Sequence, residues 1–427
     1  MNIRLYNARI YDPCKKEQIM MGEVRIQDDK IFSVIREGDE PDEGFVPDRE
    51  IDCAGNLLMR GFNDAHTHSA MTFLRSLADD KPTPAWLRED VFPVEARLTD
   101  DDIAAFQKIA IMEYVSGGIC SVMDMYLRPD VTAEVFSSAG MRAVIVSGLN
   151  DFTSSASQME DEYKRLNFYH PLISYKMGIH AEYTCSEGLL REVSGLVKQY
   201  GASFYCHLSE TLSETRECFE KTGMTPFEYL DSLGLFEHGG GIYHGVHLTS
   251  DEIRLLAEKN VSVVINSASN CKLASGIAPL KELTDAGVNI GIGTDGPASN
   301  NSLDMFREMY LTSVLCKIRE SDAACLDAVS ILDMAVSGSA VCMGFDDPCV
   351  IAPGNRADII MIDMHKPNMQ PENNIIKNIV YSGNPENVIM TMVAGKILYR
   401  NGEYFLGFDP EEVYSDCEAR LKALTGN

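Results

Sequence analysis

Several histidines and acidic residues of this 427-residue chain sit where side chains can converge on a metal ion. Each ends or follows an apolar run that is typical of a β-strand: His66, His68, His180, His207, His244 and Asp295. Side chains at positions i and i+2 of a strand point to the same side, so His66 and His68 project together. Imidazoles and a carboxylate are suitable ligands for one borderline divalent ion. Zn²⁺ is the first candidate, and Fe²⁺ is the alternative.

A metal ion in such a site can generate a nucleophile from water. Water bound to a divalent ion loses its proton with a pKa of about 7, which supplies hydroxide at neutral pH. Glu210 lies three residues after His207 and is a candidate for carrying a proton to a leaving group without binding the ion. Asp295 is a candidate for binding the ion and accepting the proton of the water, and His244 for polarising the attacked group. These roles predict a hydrolase.

The elements that must position these residues are typical of an α/β barrel. Apolar runs alternate with helical patterns, and the predicted strands are 57–64, 119–124, 142–147, 173–179, 203–206, 241–243, 262–265 and 288–293. Eight such units predict a (β/α)8 (TIM) barrel, with a doubly wound open sheet as the alternative. The carboxyl ends of barrel strands open onto one face, where barrel enzymes keep their sites. Residues far apart in the chain can therefore meet there.

Both ends of the chain have a different pattern. Residues 1–56 and 348–427 each contain short alternating segments that indicate a few antiparallel strands. Neither end has enough strands for a core of its own, so we expect them to form one small β-sandwich domain together. The predicted division is thus a small β domain from 1–56 and 348–427, with the catalytic barrel at 57–347.

The amino-acid composition indicates which classes of partner are unfavourable and which cellular compartment is expected. The chain has 37 Lys and Arg against 64 Asp and Glu, a net charge of −27, which repels nucleic acid and anionic membrane surfaces. We expect neither as a partner. No apolar stretch of about 18 residues is present, so no membrane span is expected. The 12 cysteines include no Cys-x-x-Cys pair, which indicates reduced, buried thiols in a cytoplasmic protein.

Longer motifs surround the candidate residues and carry a family resemblance. They occupy 61–68, 92–96, 206–211, 269–279 and 293–302, and include Asp64-Ala65-His66-Thr67-His68 and Gly293-Thr294-Asp295-Gly296. The sequence resembles the amidohydrolase superfamily, and within it the branch of S-adenosylhomocysteine, methylthioadenosine and related adenosine-type deaminases. The resemblance covers nearly the whole chain. It implies a metal-dependent aminohydrolase acting on a purine nucleoside or a related heterocycle.

The resemblance also implies roles for individual residues. One metal ion would be held by His66, His68, His207 and Asp295. Glu210 and His244 would be the acid–base pair at the deaminated carbon. Contacts with substrate would come from Trp86 and His180 at the base, Glu95 at the ribose hydroxyls, and Ser299. A homodimer is implied by the resemblance alone.

Departures from the family pattern bear on the substrate. Homocysteine-binding members carry arginines that grip the substrate carboxylate, but Ser147 stands at one such position and 151–160 contains no Lys or Arg. We therefore expect a short, uncharged 5′ group, as in methylthioadenosine, 5′-deoxyadenosine or adenosine. Arg60 and Glu182 replace prolines that are common in relatives. The residues leave two alternatives open: hydrolysis of another heterocycle (a triazine, guanine, pterin or cyclic amide), and a relative without turnover.

Overall fold

The computed structural model describes residues 1–40, 44–77, 79–81 and 86–426, and the strands in these ranges form two sheets. The N-terminal strands are β1 (Asn2–Tyr11), β2 (Ile19–Gln27), β3 (Lys30–Arg36), β4 (Arg49–Asp52) and β5 (Leu57–Arg60). The central strands are β6 (Phe62–Thr67), β7 (Ile119–Met125), β8 (Arg142–Val146), β9 (Ile173–Ala181), β10 (Phe204–Leu208), β11 (Gly240–His244), β12 (Val261–Ile265) and β13 (Ile290–Ile292). The C-terminal strands are β14 (Ile359–Ile362), β15 (Val388–Val393), β16 (Lys396–Arg400) and β17 (Glu403–Tyr404).

Strands β6 to β13 form a barrel of eight parallel strands that are hydrogen-bonded in chain order. The first and last strands meet where Thr67 bridges Asp295. Beside this bridge, the buried Asp64 carboxylate accepts hydrogen bonds from the backbone N–H of Thr294 at 2.9 Å and from its hydroxyl at 2.5 Å. The predicted (β/α)8 barrel is therefore confirmed, and the hydrogen bonds of Asp64 connect its first strand to the segment that follows its last strand.

Helices connect the barrel strands and cover the barrel. The α-helices of the described residues are Phe92–Glu95, Asp100–Ser116, Pro129–Ala139, Ala156–Leu166, Glu187–Tyr200, Leu212–Thr222, Pro226–Ser232, Ser250–Glu258, Ser267–Lys272, Leu280–Asp285, Met305–Glu320, Ala328–Asp333, Ser339–Cys342, Ile375–Ser382 and Pro410–Thr425. Their buried faces carry side chains such as Phe106 and Phe136, which pack in one apolar core with the outer face of the strands. Among the described residues we find no helix both long and apolar enough to cross a membrane.

The other nine strands form a mixed sheet to which both ends of the chain contribute. Strand β5 lies between β1 and β14, and this pairing joins the two ends. One apolar cluster contains residues from strands near both edges, including Val24 of β2 and Ile397 of β16, so the sheet curves around it. A small β domain built from both chain ends is therefore present, as predicted.

Three details differ from the sequence-based expectations. The predicted strand 57–64 is two strands, because Leu57–Arg60 belongs to the mixed sheet and only Phe62–Thr67 belongs to the barrel. The division into 1–56, 57–347 and 348–427 stays a prediction, and this pairing favours a first boundary at Gly61. Strands β10 and β11 also extend to Leu208 and His244, beyond their predicted ends. Cys14 and Cys271 are exposed, so the expectation of buried thiols is wrong for these two.

A buried ion network joins the bottom of the barrel, where the strands begin, to the mixed sheet. The Arg142 guanidinium lies 3.2 Å from a carboxylate oxygen of Asp358, and the Arg60 guanidinium lies 3.1 Å from Asp347. Arg60 also donates to the backbone carbonyl of Arg356 at 2.7 Å. All four charged side chains of the two pairs are at most 9% exposed. Arg60 is therefore part of the contact between barrel and sheet.

Candidate metal centre

Four side chains meet at the mouth of the barrel, where the strands end. Their ligand atoms all lie within 4.8 Å of one another: His66, His68, His207 and Asp295. The Oδ1 atom of Asp295 is 3.4 Å from Nε2 of His66 and 3.2 Å from Nε2 of His68. A tetrahedral Zn²⁺ with bonds of about 2.0–2.1 Å holds its ligands roughly 3.3–3.4 Å apart. The spacing of these atoms therefore fits a single ion.

The orientation of the imidazole rings gives independent support for a cation. Nδ1 of His68 donates to the Met125 carbonyl at 2.5 Å, and Nδ1 of His207 donates to the His180 carbonyl at 2.7 Å. The two Nε2 atoms then face each other at 3.3 Å, so a cation must lie between their lone pairs. A proton can serve one such pair, but neither ring nitrogen of the buried His66 has a hydrogen-bond partner among the described residues either. The residues present fit a divalent ion.

Burial keeps most of these rings in the neutral form that metal binding requires. Burial lowers the pKa of His66 to about 3 and holds that of His207 well below its usual range. Burial also lowers the pKa of His68, but the hydrogen bond with Asp295 and the other interactions of the ring together have a larger opposite effect, so the pKa of His68 is raised. Burial opposes ionisation of Asp295, yet the imidazole rings of His66 and His68 beside its carboxylate hold its pKa well below the usual range.

Glycines allow the last strand to approach the ligands of the first. A Cβ atom on Gly293 would lie 2.8 Å from backbone atoms of His66, and one on Gly296 would lie 3.0 Å from Cβ of His68. Asp295 lies between them with a φ of 58°, a left-handed conformation that its neighbours must hold in place. Its backbone N–H donates to the His66 carbonyl at 2.9 Å. The Gly-Thr-Asp-Gly motif therefore places the carboxylate next to both histidines.

Two serines fix the second oxygen of the Asp295 carboxylate. Oδ2 accepts hydrogen bonds from the hydroxyl of Ser269 at 2.5 Å and from that of Ser299 at 2.7 Å. Because Oδ2 is held in this way, Oδ1 is left to face the histidines. The structure thus places Ser299 on a metal-ligand candidate, and its contact with substrate stays a prediction.

Glu210 and His244 form a second pair beside these four residues. Nε2 of His244 lies 3.8 Å from Oε2 of Glu210. Nδ1 of His244 donates to the side-chain oxygen of Asn270 at 2.8 Å, which leaves a lone pair on Nε2. The other oxygen of Glu210 accepts from the Ser275 hydroxyl at 3.3 Å. A carboxylate and an imidazole next to a metal site can move protons to and from a bound substrate.

Of the remaining predicted residues, His180 and Glu95 lie near the mouth. His180 is the second-last residue of β9, its ring centroid is 5.0 Å from that of His207, and its buried Nδ1 has no hydrogen-bond partner. Burial lowers the pKa of His180 to about 4. Glu95 accepts a hydrogen bond from the Tyr126 hydroxyl at 2.8 Å, and burial raises its pKa. Trp86 is buried in the helical turn Trp86–Val91. The substrate roles of these residues stay predictions.

Sequence reasoning missed several residues that support the site. Ser269 and Asn270 lie in the motif 269–279, and this motif could have indicated that they belong to the site, but no role was predicted for them. Tyr243 stacks on His66 with ring centroids 3.7 Å apart, and Asn266 is a fully buried amide whose two polar atoms have no partner. Nothing in the local sequence distinguishes these two from ordinary residues at a strand end.

Curated relatives show a consistent similarity. A family model with the description "Amidohydrolase family" matches residues 57–398. A 5-methylthioadenosine/S-adenosylhomocysteine deaminase of Pelotomaculum thermopropionicum is 37% identical over 410 residues, which is 94% of each chain. A 5'-deoxyadenosine deaminase of Methanothermobacter thermautotrophicus is 37% identical over 415 residues, which is 96% of each chain.

A solved structure agrees with this similarity. The crystal structure of an adenosine deaminase from Xanthomonas campestris with bound zinc superposes with a TM-score of 0.93 at 31% identity, and the match covers 100% of this chain and 98% of the other. These matches confirm the resemblance that the sequence motifs indicate, and the family model alone spans well over half of the residues. The chain belongs to the amidohydrolase family.

Proposed function

We propose that this protein is a metal-dependent aminohydrolase that replaces the exocyclic amine of an adenine-type nucleoside with oxygen and releases ammonia. The observation that carries the proposal is the cluster of His66, His68, His207 and Asp295 with ligand atoms within 4.8 Å. The Glu210–His244 pair beside it supplies the proton-transfer groups that a deamination needs. Relatives named as deaminases of methylthioadenosine, S-adenosylhomocysteine and 5'-deoxyadenosine support the class of substrate.

The side chains divide the chemistry between them. The three histidines and Asp295 would hold a divalent ion, which would supply Lewis-acid chemistry and a water whose pKa is lowered to about 7. Asp295 would also accept the proton of the attacking water, and His244, whose Nδ1 donates to Asn270, would polarise the group under attack. Glu210 carries protons to the purine ring and the leaving amine, which departs as ammonia. Water adds and ammonia leaves, so the reaction needs no further co-reactant.

The charge distribution at the mouth favours an uncharged 5′ group. Ser147, at the end of β8, is buried and uncharged, and the segment 151–160 that follows has no cation. Lys272, the last residue of the helix Ser267–Lys272 after β12, already pairs with Asp79 at 2.5 Å. An amino-acid tail would therefore enter an acidic protein without a cationic partner for its carboxylate. We propose methylthioadenosine, 5′-deoxyadenosine or adenosine rather than S-adenosylhomocysteine.

Three finer points belong to the same proposal. Zn²⁺ is the proposed ion, because the ligand set is histidine-rich and a zinc-bound relative shares the fold. A cytoplasmic location is proposed from the cysteine-rich, disulfide-free sequence. A homodimer is proposed from the family resemblance, and size-exclusion chromatography with light scattering tests it.

Ammonia release from a panel of amines tests the function. The zinc-loaded protein should deaminate methylthioadenosine, 5′-deoxyadenosine or adenosine, with little turnover of S-adenosylhomocysteine. Glu210→Gln should abolish turnover, whereas Glu217→Gln, on an exposed residue of the next helix, should not. If the protein turned over a triazine, guanine or pterin but no nucleoside, the alternative function, hydrolysis of another heterocycle, would replace the proposed one. Inactivity toward the whole panel would contradict the proposal.

A further inference from the structure

The carboxylate of Glu214 holds the chain segment that carries Glu210. It accepts three backbone hydrogen bonds: from Ser209 at 2.6 Å, from Glu210 at 2.8 Å and from Thr211 at 3.2 Å. Glu214 is buried, although it lies in the first turn of the helix Leu212–Thr222. One side chain therefore satisfies three consecutive N–H groups immediately after strand β10.

Other helix starts in the same chain show that this arrangement is unusual. At Thr225 and at Thr249, a glutamate three residues later accepts from both the N–H and the hydroxyl of the threonine. This is the ordinary capping box, in which the acidic side chain satisfies the residue at the helix start. At Thr211 the capping box is also complete, because the Thr211 hydroxyl accepts from the backbone N–H of Glu214 at 3.2 Å. Here, however, the Glu214 carboxylate extends two residues further back, to the N–H groups of Ser209 and Glu210. Glu214 therefore does more than begin its helix.

The segment before the helix needs such support. Ser209 has a φ of 53°, a left-handed conformation that is strained for a residue with a side chain. Its carbonyl accepts a hydrogen bond from the backbone N–H of His247 at 2.9 Å, and the Leu208 carbonyl accepts from Gly245 at 3.2 Å. These bonds tie the loop of Glu210 to the loop that follows His244. The distance between Glu210 and His244 depends on this backbone.

We propose that Glu214 is a positioning residue, which holds Glu210 at its working distance from His244 without touching the substrate. The inference rests on the proposed function for its effect on turnover, but the backbone restraint can be measured separately. Burial and the charge of Glu210 raise the pKa of Glu214 to about 7, so a charged carboxylate is unfavourable at this place. Its three N–H partners offset that cost.

The test compares zinc-loaded Glu214→Gln with zinc-loaded Glu217→Gln. Glutamine retains one acceptor oxygen but presents an NH₂ group where two N–H donors point, while Glu217 is exposed one turn along the same helix. In Glu214→Gln, amide hydrogen exchange in the peptide spanning 208–211 should accelerate at least about tenfold. For the nucleoside that wild type deaminates, kcat should fall about 10- to 100-fold and KM should change less than about threefold. Metal content should equal that of wild type.

Several outcomes would overturn the inference. The first is a rate of amide hydrogen exchange and a kcat in Glu214→Gln that equal those of Glu217→Gln. The second is a joint loss of metal, substrate affinity and kcat in Glu214→Gln, because that result indicates a merely structural role. If Glu214→Gln does not fold, Glu214→Asp replaces it, because it keeps the charge on a shorter side chain. Faster exchange in 208–211 with a kcat below that of wild type and full metal content would then support the inference, and exchange and kcat equal to those of Glu217→Gln would overturn it. Accelerated exchange in a protein whose wild type deaminates nothing would overturn the proposed function while supporting the restraint by Glu214.

Discussion

The two ends of the barrel treat buried polar groups in opposite ways. At the bottom, Arg60 and Arg142 are paired with Asp347 and Asp358 at 3.1 and 3.2 Å. At the mouth, buried side-chain atoms of five residues have no hydrogen-bond partner among the described residues: His66, His180, Ser209, Asn266 and Asp124. A buried polar group without a partner costs about 1–3 kcal/mol. The bottom is thus built for stability, and the mouth keeps polar groups free for an ion, water and substrate.

The largest effect should come from a metal ligand at the mouth. In Asp295→Asn, the anionic ligand that faces two histidines is replaced by a neutral amide, and Ser269 and Ser299 lose their charged acceptor. We expect loss of bound zinc and a fall in kcat of at least about a thousandfold. Metal analysis and ammonia release measure both, and retention of zinc with near-normal turnover would contradict the ligand assignment.

A change at the bottom should affect stability instead of chemistry. Asp358→Ala leaves the buried Arg142 without its carboxylate partner, and we expect a loss of about 3–5 kcal/mol in the free energy of unfolding. Zinc content and kcat of the folded protein should stay at the wild-type level. The control is Asp416→Ala, which removes a half-exposed pair with Arg420 and should cost less than about 1 kcal/mol. Urea unfolding gives the free energies, and equal losses in both variants would count against the comparison.

The pH dependence of metal binding should reveal one titrating histidine. The pKa of His68 is raised by Asp295, whereas burial lowers that of His66 to about 3 and that of His207 well below the usual range. Because the pKa of His68 lies above its usual value of about 6.5, zinc must displace a proton from His68 alone below that pH, and its affinity should fall about tenfold per pH unit as the pH drops below about 6.5. Competition titration with a chelator measures this slope. A fall of a hundredfold or more per unit would mean that His66 or His207 also titrates.

A smaller effect should come from the supports of the ligands. Ser269→Ala removes the 2.5 Å hydrogen bond to Oδ2 of Asp295, so the carboxylate is held less firmly. We expect about tenfold weaker zinc binding, the lower end of the range for groups that orient a ligand. Ser232→Ala, an exposed position on another helix, serves as the control and should leave affinity unchanged. Unchanged affinity in Ser269→Ala would remove Ser269 from the metal site.

The sequence was most informative where short-range rules apply. The i and i+2 spacing of His66 and His68 predicted that they project together, and alternating apolar runs predicted which end of the barrel they occupy. Pairings between distant segments left no such signal. Arg142 and Asp358 are 216 positions apart, and nothing local indicates that they meet. Leu57–Arg60 was assigned to the barrel because an apolar strand does not indicate which sheet it joins.

The residues that hold the site residues in place could not be predicted from the sequence for a related reason. Asn270 contacts His244 and Ser269 contacts Asp295 only because the short helix Ser267–Lys272 turns towards the mouth. Residue type alone shows serine and asparagine as ordinary loop or helix-start residues. Tyr243 stacks on His66 across the barrel interior, a contact that depends on the packing of several strands. Such roles require the three-dimensional arrangement.

The most direct measurement is a crystal structure of the zinc-loaded protein with anomalous diffraction data at the zinc edge. The account predicts one zinc ion per chain at the barrel mouth, bound by Nε2 of His66, His68 and His207 and by a carboxylate oxygen of Asp295, at about 2.0–2.2 Å. An anomalous peak elsewhere, or none between these four groups at saturating zinc, would contradict it.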